Sequence, residues 1–156
     1  MNATTIPQSK DRRVDHSALR TNQAFIIGLL ILAFVLNAPI LVAFVCAVMV
    51  IGTLNPSAGL FKAVYFYGLK PAGVVKPDVK QDNPEPHLFA QGLGGIFLLL
   101  ASLALFSGAS TLGWGLSWLV VALAALNLFA GICVGCIMYY QFNRLGVPGF
   151  TRAPLQ

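Results

Sequence analysis

Charge is scarce in this chain. Only 10% of its 156 residues are Asp, Glu, Lys or Arg, against 57% apolar residues, and that balance excludes an ordinary soluble domain. From Ser107 to Asn143 there is no charged residue at all. The formal net charge is +5, but the basic residues are spread over three flanks with no aromatic-basic stripe. Nucleic acid is therefore excluded as a partner, and membrane topology accounts for the basic residues better. Histidines number two and cysteines three, so thiol or imidazole chemistry has few side chains to draw on.

What fills the chain instead is long apolar segments. The last runs from Leu112 to Tyr140, with Trp114 and Trp118 near one end and Tyr139 and Tyr140 near the other, the positions where amphipathic rings settle at membrane boundaries. At about 1.5 Å per residue this segment is longer than a bilayer core of roughly 30 Å. Read as one continuous helix, it places Cys133 about 10 Å and Cys136 about 15 Å from the bilayer centre.

Residues 1–21 form a polar tail in which Asp15 can cap a helix that runs on into the membrane. The apolar run from Ala24 to Leu54 is too long for one span, and Asn37-Ala38-Pro39 is a turn signal inside it, so a tight helical hairpin is predicted. A basic flank before a short apolar core also resembles a signal peptide, but the second apolar run argues for retention. Asn55-Pro56-Ser57 reads as a helix start, leading into a short interfacial helix with Leu60, Phe61, Val64 and Tyr65. An irregular polar loop from Pro71 to Pro86 follows. A further span begins at His87 or Leu88 and ends near Phe106, before a small turn, Ser107 to Thr111.

The expectation is a single all-α membrane domain over residues 1–156, a polytopic four-transmembrane-helix bundle. Its spans lie at about 22–37, 39–55, 87–107 and 112–141, with an interfacial helix and polar loop at 56–86 and a C-tail at 144–156. All ten Lys and Arg residues and all five acidic ones then fall on one side. The positive-inside rule makes that side cytoplasmic, with both termini, in a plasma (inner) membrane.

That side gathers the polar candidates. His16, Arg20 and Gln23 share helical spacing, His87 and Gln91 are four apart, and Cys133 and Cys136 are three apart. Asn22, Gln23 and Gln91 read first as hydrogen-bonding glue between helices, with substrate contact the second reading. Gly131-x-x-x-Gly135 reads as a packing motif and Cys46 as a small apolar filler.

Several motifs occur in order: Asp15-His16, Asn22-Gln23, Pro86-His87-x-Phe89-Ala90-Gln91 and Gly131-x-Cys133-x-Gly135-Cys136-x-x-Tyr139. In this the chain resembles, over roughly Val14 to Gly146, a family of small bacterial integral membrane proteins classed as a domain of unknown function. The family's cysteine motif commonly has an aromatic before the first Cys, where this chain has Ile132. The resemblance implies a thiol or sulfur role, with a thioredoxin-like or sulfurtransferase protein as partner. It carries over no reaction.

Three function classes remain. In the first, Cys133 and Cys136 are the catalytic pair, cycling between dithiol and disulfide or carrying a persulfide, supported by His16, Gln23, His87 and Gln91. A pair near a helix C-terminus has its thiol pKa raised, so a histidine or Arg20 has to compensate. In the second, the protein is a non-catalytic accessory or assembly subunit of a larger membrane complex or homo-oligomer. In the third, His16, His87, Cys133 and Cys136 bind a thiophilic metal, zinc or copper.

Overall fold

The computed structural model of the protein describes residues 13–55, 59–74 and 76–150. The first twelve residues of the polar tail, the Pro56-Ser57 helix signal and the last six residues of the C-tail lie outside the described residues. The elements run β1 (Arg13–Asp15), α1 (His16–Val35), α2 (Pro39–Leu54), α3 (Leu60–Val64), β2 (Val79–Gln81), α4 (Pro84–Phe106), α5 (Ser110–Ala125) and α6 (Val134–Arg144). One π-helical turn, Tyr65–Leu69, extends α3, and another, Leu126–Ala130, extends α5.

Local chemistry sets the helix ends. Asp15 Oδ1 accepts from the amides of Ser17 at 3.0 Å and Ala18 at 3.4 Å, satisfying donors that a helix start leaves unpaired. The helix therefore begins at His16, well before the apolar run. Asn37, with φ of 48°, turns the chain, and Pro39 opens α2 at the position where a missing N–H costs nothing. Gly108, at φ of 90°, makes the equivalent turn between α4 and α5. Helix α4 starts at Pro84 rather than at His87, because two prolines at its N-terminus need no amide partners.

Three helical segments are long and apolar enough to cross a membrane: His16–Val35, Pro84–Phe106 and Ser110–Ala130. These mark a helical membrane protein. Pro39–Leu54 is a shorter apolar helix. The core lies between α1, α2, α4 and α5, where Leu30, Val42, Val45, Leu98 and Ala101 are almost wholly buried. Outward-facing Val35, Leu103 and Phe106 remain exposed, as side chains turned to lipid do.

Besides the earlier start of α4, two features depart from the sequence reading. The polar loop contains a strand: β2 pairs antiparallel with β1, Val14 opposite Lys80 and Asp15 opposite Val79. The pairing continues as the His16 amide donates to the Asp78 carbonyl at 2.8 Å and Ser17 Oγ to the Lys76 carbonyl at 2.7 Å. Tyr65 Oη adds a hydrogen bond to Asp15 Oδ2 at 3.0 Å. Burial first, and Asp15 second, push the Tyr65 hydroxyl pKa up, so it stays a donor. This clamp sets the starts of α1 and α4 side by side.

The second departure is the last apolar segment, which is not the single helix expected over 112–141. It breaks at residues 131–133. Gly131 ends the π-helical turn in the left-handed region at φ of 68°, a conformation that glycine enters without steric cost. Cys133 is extended, and α6 starts after it. Apolar composition continues through the break, which is why hydropathy did not reveal it.

Candidate functional site

The break decides the chemistry of the cysteines. Cys133 is the N-cap of α6, and its Sγ accepts a hydrogen bond from the Cys136 amide at 3.2 Å. The two cysteines form a disulfide with Cα atoms 5.2 Å apart. Their spacing of three was expected to permit a bridge inside a helix; it does so in the first turn instead. The expected penalty from a helix C-terminus is therefore reversed in sign, because a helix N-terminus favours a thiolate. Exposure separates the two sulfurs: Cys136 is buried within the protein, whereas Cys133 is half-buried.

Close packing on α4 positions the pair. A Cβ on Gly135 would fall onto Ala90, so glycine lets α6 meet α4 backbone to backbone. Gly131, its partner in the expected packing motif, instead has open space around it and serves as the helix stop. Phe89 of α4 meets Tyr139 and Phe150 edge-on, with ring centroids 5.9 and 5.4 Å apart. Two residues before Phe89, His87 points its Nδ1 at Cys136 Sγ from 3.6 Å.

Behind the imidazole lies a carboxylate. His87 Nε2 is 3.0 Å from Asp82 Oδ2, the same oxygen is 3.4 Å from His16 Nε2, and Asp82 Oδ1 accepts from the Asn83 amide at 2.7 Å. The rings of His16 and His87 meet edge-on at 6.0 Å. A carboxylate accepting from Nε2–H selects the tautomer whose Nδ1 lone pair faces the sulfur. Asp82 lies in the stretch that the sequence presents only as an irregular polar loop. Its place five residues before His87, with Pro84 and Pro86 starting a helix between them, is the signal that would have found it.

The other expected residues divide. His87, Cys133 and Cys136 come together, with potential ligand atoms all within 4.8 Å of one another. His16 stands outside that group and adjoins it through Asp82 and through its edge-on contact with the His87 ring. Gln91 Nε2 donates to the Met49 carbonyl at 3.0 Å, tying α4 to α2 in the way expected of a polar group between helices. Cys46 is buried in the core with its thiol on the Gly95 carbonyl.

Two cavities flank the disulfide. One, about 420 Å³, is a polar cleft lined by His16, Arg20, Asp82, His87, Cys136 and Tyr140. The other, about 300 Å³, runs between the helices and is lined mainly by apolar side chains such as Ile26, Phe97, Val120 and Leu123. Cys133, His87, Gln23 and Asn127 line both.

No curated protein and no solved structure matches the chain. Residues 14–144, which carry the Asp15 cap, the β1–β2 clamp, the Asp82-His87 pair and both cysteines of the disulfide, match the family described as a domain of unknown function (DUF4395), and the chain belongs to that family.

Proposed function

We propose that the protein is a membrane thiol–disulfide relay, in which Cys133 and Cys136 exchange electrons with a soluble thioredoxin-like protein. The observation that carries this reading is the placement of Cys133 at the cap of α6, with His87 against Cys136. A helix N-terminus lowers the pKa of the capping thiol, and the more accessible sulfur becomes the one attacked. Cys133 is that sulfur. A partner thiolate attacks Cys133 Sγ and the Cys133–Cys136 bond breaks, leaving Cys136 as thiolate, which takes a proton from the cleft by way of His87. The partner's second thiol then loses its proton and displaces Cys133, leaving an oxidised partner and a dithiol here. A sulfurtransferase partner uses the same cleft if the cargo is a persulfide.

The reading includes four spans, α1, α2, α4 and α5 with its π-helical turn. Support comes from the clamp: β1 precedes α1 and β2 precedes α4, and the two strands are paired. A chain that crosses on α1 has to cross back before reaching β2, and α2 is the apolar helix available. Its 16 residues rise only about 24 Å, short of a roughly 30 Å core, a mismatch that local thinning absorbs. The basic flanks support a cytoplasmic position for the clamped end, in a plasma membrane, and the reading takes residues 1–156 as one domain.

Trapping tests the relay. Cys136→Ser should accumulate a mixed disulfide between Cys133 and a thioredoxin-like protein, and Cys133→Ser should trap nothing. If neither variant traps a partner and both support growth like the parent, the cysteines are packing residues and the accessory-subunit role replaces the relay. The three-ligand cluster supports zinc or copper as the second reading. Stoichiometric metal on the reduced protein, lost in His87→Ala, would favour it.

A further inference from the structure

We infer that the apolar cavity is a site for a membrane quinone, which accepts the electrons that the disulfide collects from the polar cleft. The inference rests on the relay reading and names the relay's second substrate. Its starting point is that Cys133 lines both cavities. Cys133 thus borders both the cleft that a soluble thiol would enter and the apolar space between the helices.

The cavity suits one kind of occupant. It follows α4 from His87 to Phe97, a helical rise of about 15 Å away from the cleft. Its volume of about 300 Å³ is at the small end of ligand pockets, enough for a single substituted ring with its tail leading away into lipid. Apolar Ile26, Phe97 and Val120 suit the faces of such a ring. Polar His87, Gln23 and Asn127 line both cavities along with Cys133, and Asn127 lies on the π-helical turn Leu126–Ala130. Such turns are frequent at functional sites, and this one adds to the cavity lining a carboxamide able to donate to a quinone carbonyl.

The step balances without a further reagent. Cys133 and Cys136 lose their two thiol protons and two electrons, and the S–S bond forms. Both electrons enter the quinone ring, and its two carbonyl oxygens take the two protons to become hydroxyls. His87 Nδ1 takes the proton from Cys136 and returns one to the cavity it also lines. An alkyl chain of a lipid also fits an apolar space, but it has no use for the amides or the adjoining sulfur.

The test uses the full chain in nanodiscs, reduced and freed of excess reductant, with decylubiquinone added. Quinol formation followed by absorbance, and Cys133–Cys136 closure followed by alkylation mass, should rise together. Ala124→Phe, which narrows the cavity, should slow quinol formation by about tenfold or more while exchange with a reduced thioredoxin-like protein stays at the parent rate. Quinol formation by the parent no faster than by Cys133→Ser overturns the inference. If thiol exchange persists in that case, the relay stands with another acceptor. If exchange is absent too, the relay reading falls with it.

Discussion

His87 holds Cys136 Sγ at 3.6 Å with one ring nitrogen and Asp82 Oδ2 at 3.0 Å with the other. A carboxylate, an imidazole and a sulfur in that order form an orienting group, a base and its target. The histidine matters most in the reduced state, when Cys136 has to lose a proton before it can close the disulfide. Replacing His87 with Ala is expected to slow closure by about 100-fold, the low end for a positioned base. Asp82→Asn keeps an acceptor but removes the charge, and is expected to slow closure less, with the pH–rate profile moved. Stopped-flow closure rates from pH 5.5 to 9 measure both. Equal rates for all three proteins would remove His87 from the chemistry.

Gly131 ends the turn that leaves Cys133 at the cap of α6. With a β-branched residue at φ of 68° the left-handed turn costs roughly 1–2 kcal/mol, and continuing the helix through Ile132 becomes the cheaper course. Cys133 would then lie inside a helix and lose its capping position. Gly131→Val is expected to raise the Cys133 thiol pKa, seen as a shift to higher pH in the rate of iodoacetamide labelling. An unchanged labelling profile would mean that the break does not depend on this glycine.

The same glycine shows where sequence reading ends. Apolar runs, the Asn37-Pro39 turn, the Asp15 cap and the Ser107–Gly108 turn were legible because each has a local signature in hydropathy or backbone chemistry. The break at 131–133 was not, because Gly131 and Gly135 fit a packing motif equally well and their two different roles depend on what lies beside them. Asp82 was missed for a related reason. A single carboxylate in a loop gains meaning only when the β1–β2 pairing brings the loop beside His16 and His87. Gathering His16, His87 and the cysteines at one end needed only the helix count, and so was readable from topology.

Topology makes its own prediction. If the clamped end is cytoplasmic, as proposed, Asp82→Cys should resist a membrane-impermeant maleimide in intact cells and label after lysis. A cysteine at Gly108 should label in intact cells. These probes belong in a background with Cys46, Cys133 and Cys136 replaced by Ser. The opposite labelling pattern would turn the disulfide and its cleft to the outer face, where oxidising conditions favour a persistent bridge.

The closest approach of α6 to α4 offers the most direct test of how the site is held. Gly135 faces Ala90 with no room for a side chain on the glycine, and Ala90 is only three residues from His87. Gly135→Ala therefore has to push the helices apart, at about 1–3 kcal/mol for overpacking. The same displacement carries Cys136 away from His87. Stability and disulfide closure rate should fall together in Gly135→Ala. Ala90→Gly, which returns the missing space, should recover much of both in the double variant. Neighbours in contact are expected to couple in this way. Additive losses in the double variant would show that the two residues do not meet, and that something other than this contact sets the distance between His87 and Cys136.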